Sequence, residues 1–147
     1  MHTRSILAIG LLTISTVSFS EEIKFLPKET GFPNLEYSVK ELSNTDTTSS
    51  LEIPGFSTRG PEASRWMMCV YTNIAMMRHK KYWTAVYPRN GDIVLVGFPE
   101  SDNVDELEKL GPEFKGEYEL KKILPAEKML YFCVHLGYKF KYAPSSS

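Results

Sequence analysis

Hydrophobic positions in this chain fall into two blocks of one design: helical spacing, a stop signal, then strand-like alternation. The first block runs from Pro61 to Phe98. With residues set about 100° apart, Trp66, Met67, Cys69, Val70, Ile74 and Met77 share one broad arc, and Ser64, Arg65 and Thr72 take what remains. So wide an arc predicts a helix covered on most sides. Gly60, Pro61 and Glu62 suit its start, and Arg78, His79, Lys80 and Lys81 bring positive charge to its negative end. Tyr82 to Tyr87 and Asp92 to Phe98 are rich in aromatic and β-branched residues, with Pro88-Arg89-Asn90-Gly91 between them. Asn-Gly suits the positive φ of a two-residue loop, so these segments predict a hairpin with Arg89 facing Asp92. Ile93 to Val96 is apolar on both faces, which predicts a central, covered strand.

The second block runs from Pro125 to Tyr142. Its helical part turns Met129, Phe132, Cys133 and Leu136 inward and Lys128, Tyr131 and His135 outward, and Gly137 stops it. Tyr138, Phe140 and Tyr142 then alternate with Lys139 and Lys141, predicting a half-exposed strand. Between the blocks, Asp102 is placed to cap a short helix over Asn103 to Leu110, with Val104, Leu107 and Leu110 inward. Glu113 to Leu124 fits neither period cleanly.

The N-terminal part reads differently. Ile6 to Val17 is apolar but too short to span a bilayer, Arg4 precedes it, and Ser18-Phe19-Ser20 supplies small residues for cleavage. Residues 1–20 are therefore expected to be a signal peptide, cut near Ser20, that delivers a secreted or periplasmic product. Residues 21–60 predict short strands around Leu35, Tyr37 and Val39 and from Leu51 to Phe56, with Ser43 to Ser50 as a polar loop. Residues 61–142 form the expected α+β core, and 143–147 a disordered tail. The fold class expected is α+β: an antiparallel sheet of three to five strands with two main helices packed on one face.

Charge narrows the function. The chain carries 17 basic and 18 acidic residues, and removing residues 1–20 takes away Arg4 alone, leaving 16 against 18. That balance gives no electrostatic case for nucleic acid or anionic membrane. No second apolar span follows the first, so no membrane span is expected after processing. No Asn-x-Ser/Thr acceptor occurs, which favours a bacterial periplasm over a glycosylating pathway. Cys69 and Cys133 are an even pair bound for an oxidising space, which predicts one disulfide between the two helices. No CxxC is present for thioredoxin-like exchange.

Candidate chemistry is sparse. Asn73 stands inside the apolar arc, where its amide must find partners in the backbone or line a pocket. Trp83, Tyr87, Tyr138 and Phe140 lie on predicted strands, and exposed aromatics beside lysines suit recognition of a protein or glycan. Glu100, Asp102, Asp105 and Glu106 could furnish a hydrolase's carboxylate pair, although a solvated acidic helix explains them more simply. Met67, Met68, Met76, Met77 and Met129, with His79, could serve a soft-metal carrier, although their angles scatter around the helix. No nucleophile elbow, zinc motif or phosphate-cradling loop is present, so no cofactor is expected. These readings converge on a small exported, non-enzymatic domain that binds a protein partner, inhibitor- or immunity-like. A periplasmic hydrolase and a Met/His carrier are the alternatives.

Overall fold

A computed structural model describes residues 22–87, 91–115 and 122–142. In chain order the elements are β1 (Lys24–Phe25), β2 (Val39–Asn44), β3 (Thr48–Glu52), α1 (Pro61–Met77), β4 (Tyr82–Val86), β5 (Ile93–Gly97), β6 (Leu124–Pro125) and α2 (Ala126–His135). The architecture is α+β, with an antiparallel sheet in the order β1-β2-β3-β5-β4-β6. Six strands exceed the expected three to five, because residues 22–60 supply half the sheet instead of flanking it. β3 and β4 each run antiparallel to β5, so they are parallel to one another with β5 between them. Helix α1 makes that crossover, and β5 fills the gap it leaves.

Alternation along the central strands explains both faces of the sheet. Ser49, Leu51 and Ile53 of and after β3, Val94 and Val96 of β5, and Trp83 of β4 are buried on the side of α1. Leu95 and Val86 point to the other side, where Leu107, Leu110 and Phe114 cover them. Those covering residues come from 3-10 helices at Val104–Leu110 and Pro112–Phe114, so the β4–β5 part of the face opposite α1 is also covered. The cap of the first is Asn103, not Asp102: its Oδ1 accepts from the Asp105 N–H at 3.0 Å. Val104, expected inward, is exposed at the first residue of this segment, and only Leu107 and Leu110 reach the cluster against the sheet.

Helix α1 begins as the sequence predicts, with Gly60 as N-cap and Pro61 and Glu62 in its first turn. Ten of its 17 residues are buried, including Thr72, which the sequence pattern puts outside the apolar arc. The Thr72 hydroxyl donates to Met68 O at 2.9 Å and accepts from Trp83 Nε1 at 3.0 Å, which satisfies both groups. Trp66 Nε1 likewise donates to Thr30 Oγ1 at 2.8 Å. Two tryptophans thus bury their rings without stranding a donor.

Other corrections have local causes. β2 starts at Val39, so Leu35 and Tyr37 precede it, and β2 and β3 reach far into the expected 43–50 loop. That hairpin tip lies beyond the core, so its strand residues are polar and show no apolar alternation. Glu41 nevertheless turns inward, where its carboxylate accepts from Arg78 Nη2 at 2.6 and 2.7 Å, from Asn44 Nδ2 at 2.9 Å, and from Ser49 Oγ. Residues 138–142 are not a strand. Their alternation is real, but their backbone is held by a side chain, as described below. The predicted turn at Pro88, Arg89 and Asn90 lies outside the described residues. The β4–β5 register, with Thr84 opposite Gly97 and Val86 opposite Leu95, is the one that loop requires. Asp92 accepts from the Gly55 N–H at 3.1 Å.

The Cys69–Cys133 disulfide joins α1 to α2 with a Cα separation of 5.7 Å, inside the range such a bond needs. Both cysteines are fully buried. Closing a loop over a separation of 64 residues stabilises by about 4 kcal/mol on the chain-entropy model.

Candidate functional site

Among the residues singled out in sequence, Asn73, Tyr138 and Phe140 come together. Asn73 is fully buried in α1. Its Oδ1 accepts from Tyr138 Oη at 2.9 Å and from the Lys141 N–H at 2.8 Å, while its Nδ2 donates to Lys141 O. One amide therefore holds both backbone groups of Lys141, as a neighbouring strand would. Phe140 stacks edge-on against Tyr138, with ring centroids 4.8 Å apart. The Tyr138 phenol is pushed far above the usual tyrosine range by burial.

Trp83 and Tyr87 lie elsewhere. Trp83 is buried against Tyr71, with ring centroids 5.4 Å apart, and offers no surface. Tyr87 is partly exposed and stacks on Phe56 at 4.8 Å, with the Arg59 guanidinium 3.7 Å above the Phe56 ring and 5.3 Å from that of Tyr87. Beneath this stack the Tyr71 hydroxyl finds no hydrogen-bond partner among the described residues. Burial holds its phenol well above the ordinary range, Tyr87 adds to that, and Arg59 opposes it.

The acidic residues do not converge. Asp102, Asp105 and Glu108 are exposed along the 3-10 segment, and Glu106 pairs with Lys109 at 3.0 Å. Among the described residues, no group of three His, Cys, Asp or Glu is placed to hold a metal. Met67 is buried in the core, and Met68, Met76, Met77 and Met129 pack against it.

A different region is open. Phe132, expected inward, is 43% exposed, and Tyr131 and Val134 are 67% and 57% exposed. Residues Ala126, Met129, Cys133 and Leu136 pack on the core that α1 shares instead, at i, i+3, i+7 and i+10. This displaces Phe132 to the edge of the buried stripe. Beside the exposed face lies a groove of about 570 Å³. Met76, Tyr82, Leu130 and Tyr131 form its apolar surface, and His79, Lys80, Lys81 and Glu127 its polar rim. The Ala126 N–H donates to Lys81 O at 2.9 Å, fixing the start of α2 against that rim. On its other side the same 79–81 turn borders a smaller cavity of about 210 Å³ closed by Phe98, Pro99 and Glu100.

The 79–81 turn is strained. Both helices end in the same way: the Lys80 N–H donates to Ala75 O at 2.8 Å in α1, and the Tyr138 N–H to Cys133 O at 2.9 Å in α2. That motif needs a left-handed residue just past the cap. α2 uses Gly137, at φ 93°, whereas α1 uses His79, at φ 56°. A β-carbon in that conformation costs about 1 kcal/mol relative to glycine.

Sequence reasoning missed Phe132 and Val134 as surface. The signal was present in Met129-Leu130-Tyr131-Phe132-Cys133-Val134, an unbroken apolar run in a short helix with one neighbour to cover it. No helix among the described residues is long and apolar enough to cross a membrane. Comparison with protein-family models, with curated proteins and with solved structures finds no match to this chain.

Proposed function

We propose that this protein is an exported, non-enzymatic binding domain that docks a protein partner on the outer face of α2 and the adjoining groove. The observation that carries the reading is that Tyr131 and Val134, neighbours at i, i+3, are left open with Phe132 at the edge of a helix that the disulfide staples in place. Large apolar side chains clustered on a surface mark interaction sites, whereas single ones need no explanation. Tyrosine and phenylalanine are also the residues enriched at the centres of interfaces. The buried disulfide keeps α2 in place, so the surface is pre-organised and binding loses little to ordering. A disulfide of this kind is expected in an oxidising compartment, which supports export, with cleavage near Ser20.

Photo-crosslinking tests the assignment. A photoreactive residue at position 131, in the full chain expressed in source cells, should give a discrete adduct with one partner. The same residue at Val104, which is similarly exposed on another element, should not. Adducts from position 104 alone, or none from position 131, would refute the docking surface. Osmotic-shock release of the oxidised, shortened chain tests the location, and retention of residues 1–20 in cytosolic protein would refute it.

A further inference from the structure

We infer that the groove reads an acidic segment of the partner: carboxylates meet His79, Lys80 and Lys81, and a neighbouring apolar side chain seats against Met76, Leu130 and Tyr131. This inference rests on the docking face proposed above and adds the chemistry of its occupant.

Charge is the first argument. Two lysines and a histidine line the groove against one acid, Glu127. None of the ion pairs among the described residues uses Lys80 or Lys81. The wall facing them is the start of α2, at Pro125, Ala126 and Glu127. A helix start carries partial positive charge from its unpaired N–H groups. The lysine wall thus favours an anion, and the helix start offsets part of the Glu127 charge on the other.

Backbone conformation is the second, independent argument. A glycine at position 79 would relieve the left-handed strain, as Gly137 does at the end of α2. The chain keeps an exposed histidine there instead, on the one turn that borders both cavities. Strain held on a cavity rim, where packing does not demand the side chain, points to use of that side chain. Apolar capacity is the third argument. Met76 is flexible and polarisable, and with Leu130 and the Tyr131 ring it can close around an aliphatic or aromatic anchor of varied shape. Carboxylates alone would bind such a rim weakly in salt, and the anchor supplies desolvated contact.

Panning a random peptide library on the oxidised protein tests this directly. Selected peptides should carry Asp or Glu within about three positions of a large apolar residue, the reach of the groove from rim to floor in an extended chain. A synthetic copy of the leading peptide should bind Lys80→Glu/Lys81→Glu at least ten-fold more weakly and lose affinity as salt rises. A copy with lysines in place of its acids should recover binding to that variant. Thermal melting checks that the variant is folded, and Lys80→Gln/Lys81→Gln replaces it if it is not.

Loss of binding in Tyr131→Glu with none in the lysine variants would overturn acid recognition and leave the docking face standing. Indifference to both sets of variants, or no enriched peptide, would overturn both readings. A salt-sensitive dimer on size exclusion, dispersed by Tyr131→Glu, would make a second copy the occupant and would also overturn the inference.

Discussion

Replacing Asn73 by Leu removes the side chain whose hydrogen bonds fasten Tyr138 and Lys141 to α1. Leucine fills similar volume, so the perturbation is chiefly the loss of three hydrogen bonds. At about 0.5–1.5 kcal/mol each they contribute about 2–4 kcal/mol. The Tyr138 hydroxyl, buried at 3% residue exposure, would be stranded, whereas the groups of half-buried Lys141 could reach water. A net loss of about 3 kcal/mol follows, lowering Tm by about 10 °C. Urea unfolding should show a lower midpoint with an unchanged slope, and the Lys141 amide should exchange freely. Adding Tyr138→Phe removes the stranded donor and should restore about 1 kcal/mol in a double-mutant cycle. A stability change under about 0.5 kcal/mol in Asn73→Leu, or no coupling to Tyr138, would refute the clamp. Loss of partner binding with stability intact would make Asn73 a recognition group instead.

Other expectations follow from single features. A β-carbon at Gly31 would sit 2.2 Å from Gly137 O at φ 93°, so Gly31→Ala should cost about 2–4 kcal/mol in urea unfolding. His79→Gly should raise stability by about 1 kcal/mol by relieving the left-handed β-carbon, and a neutral result would remove the strain argument. Burial raises the phenols of Tyr71 and Tyr138 above their ordinary value of 10.0. The unfolded chain then ionises first, so stability should hold below pH 10 and fall above it by about 1.4 kcal/mol per pH unit for each tyrosine. Tyr138→Phe should make that fall shallower between pH 10 and 11, leaving the part due to Tyr71 and to Tyr87, whose phenol burial also raises. Replacing Cys69 and Cys133 together by alanine should cost about 4 kcal/mol and release α2 first, visible as early amide exchange at Leu130.

The helices were legible because each carries several signals at once. Pro61 and Glu62 start α1, a wide apolar arc fills it, and Gly137 stops α2. The β4–β5 pairing was legible from Asn90-Gly91 and two β-rich runs. Cys69 and Cys133 could be paired because each was placed on a buried face, and compartment made the bond the expected state. β2 and β3 were obscured where polar residues at the hairpin tip carry no periodicity. The C-terminal segment misled in the opposite way. Tyr138 and Phe140 alternate with lysines as a strand does, but the acceptor and donor that hold Lys141 belong to Asn73, a partner that no local pattern can reveal. The open face of α2 depends on which neighbours exist, and an apolar run alone does not distinguish a covered helix from a waiting one.

β5 follows β4 in the chain yet lies between β3 and β4 in space. β1 to β3 close as a meander with one ladder edge unfilled, and the β4–β5 hairpin must dock on that edge through β5. The barrier to folding therefore includes pairing the wholly apolar β5 with β3, a non-local step of the kind that slows β-rich topologies. Until they join, the open edges of β3 and β5 can capture strands from other molecules. The interval in which this protein is most prone to aggregate is then the one before Leu51 meets Val94, whatever the stability of the finished sheet.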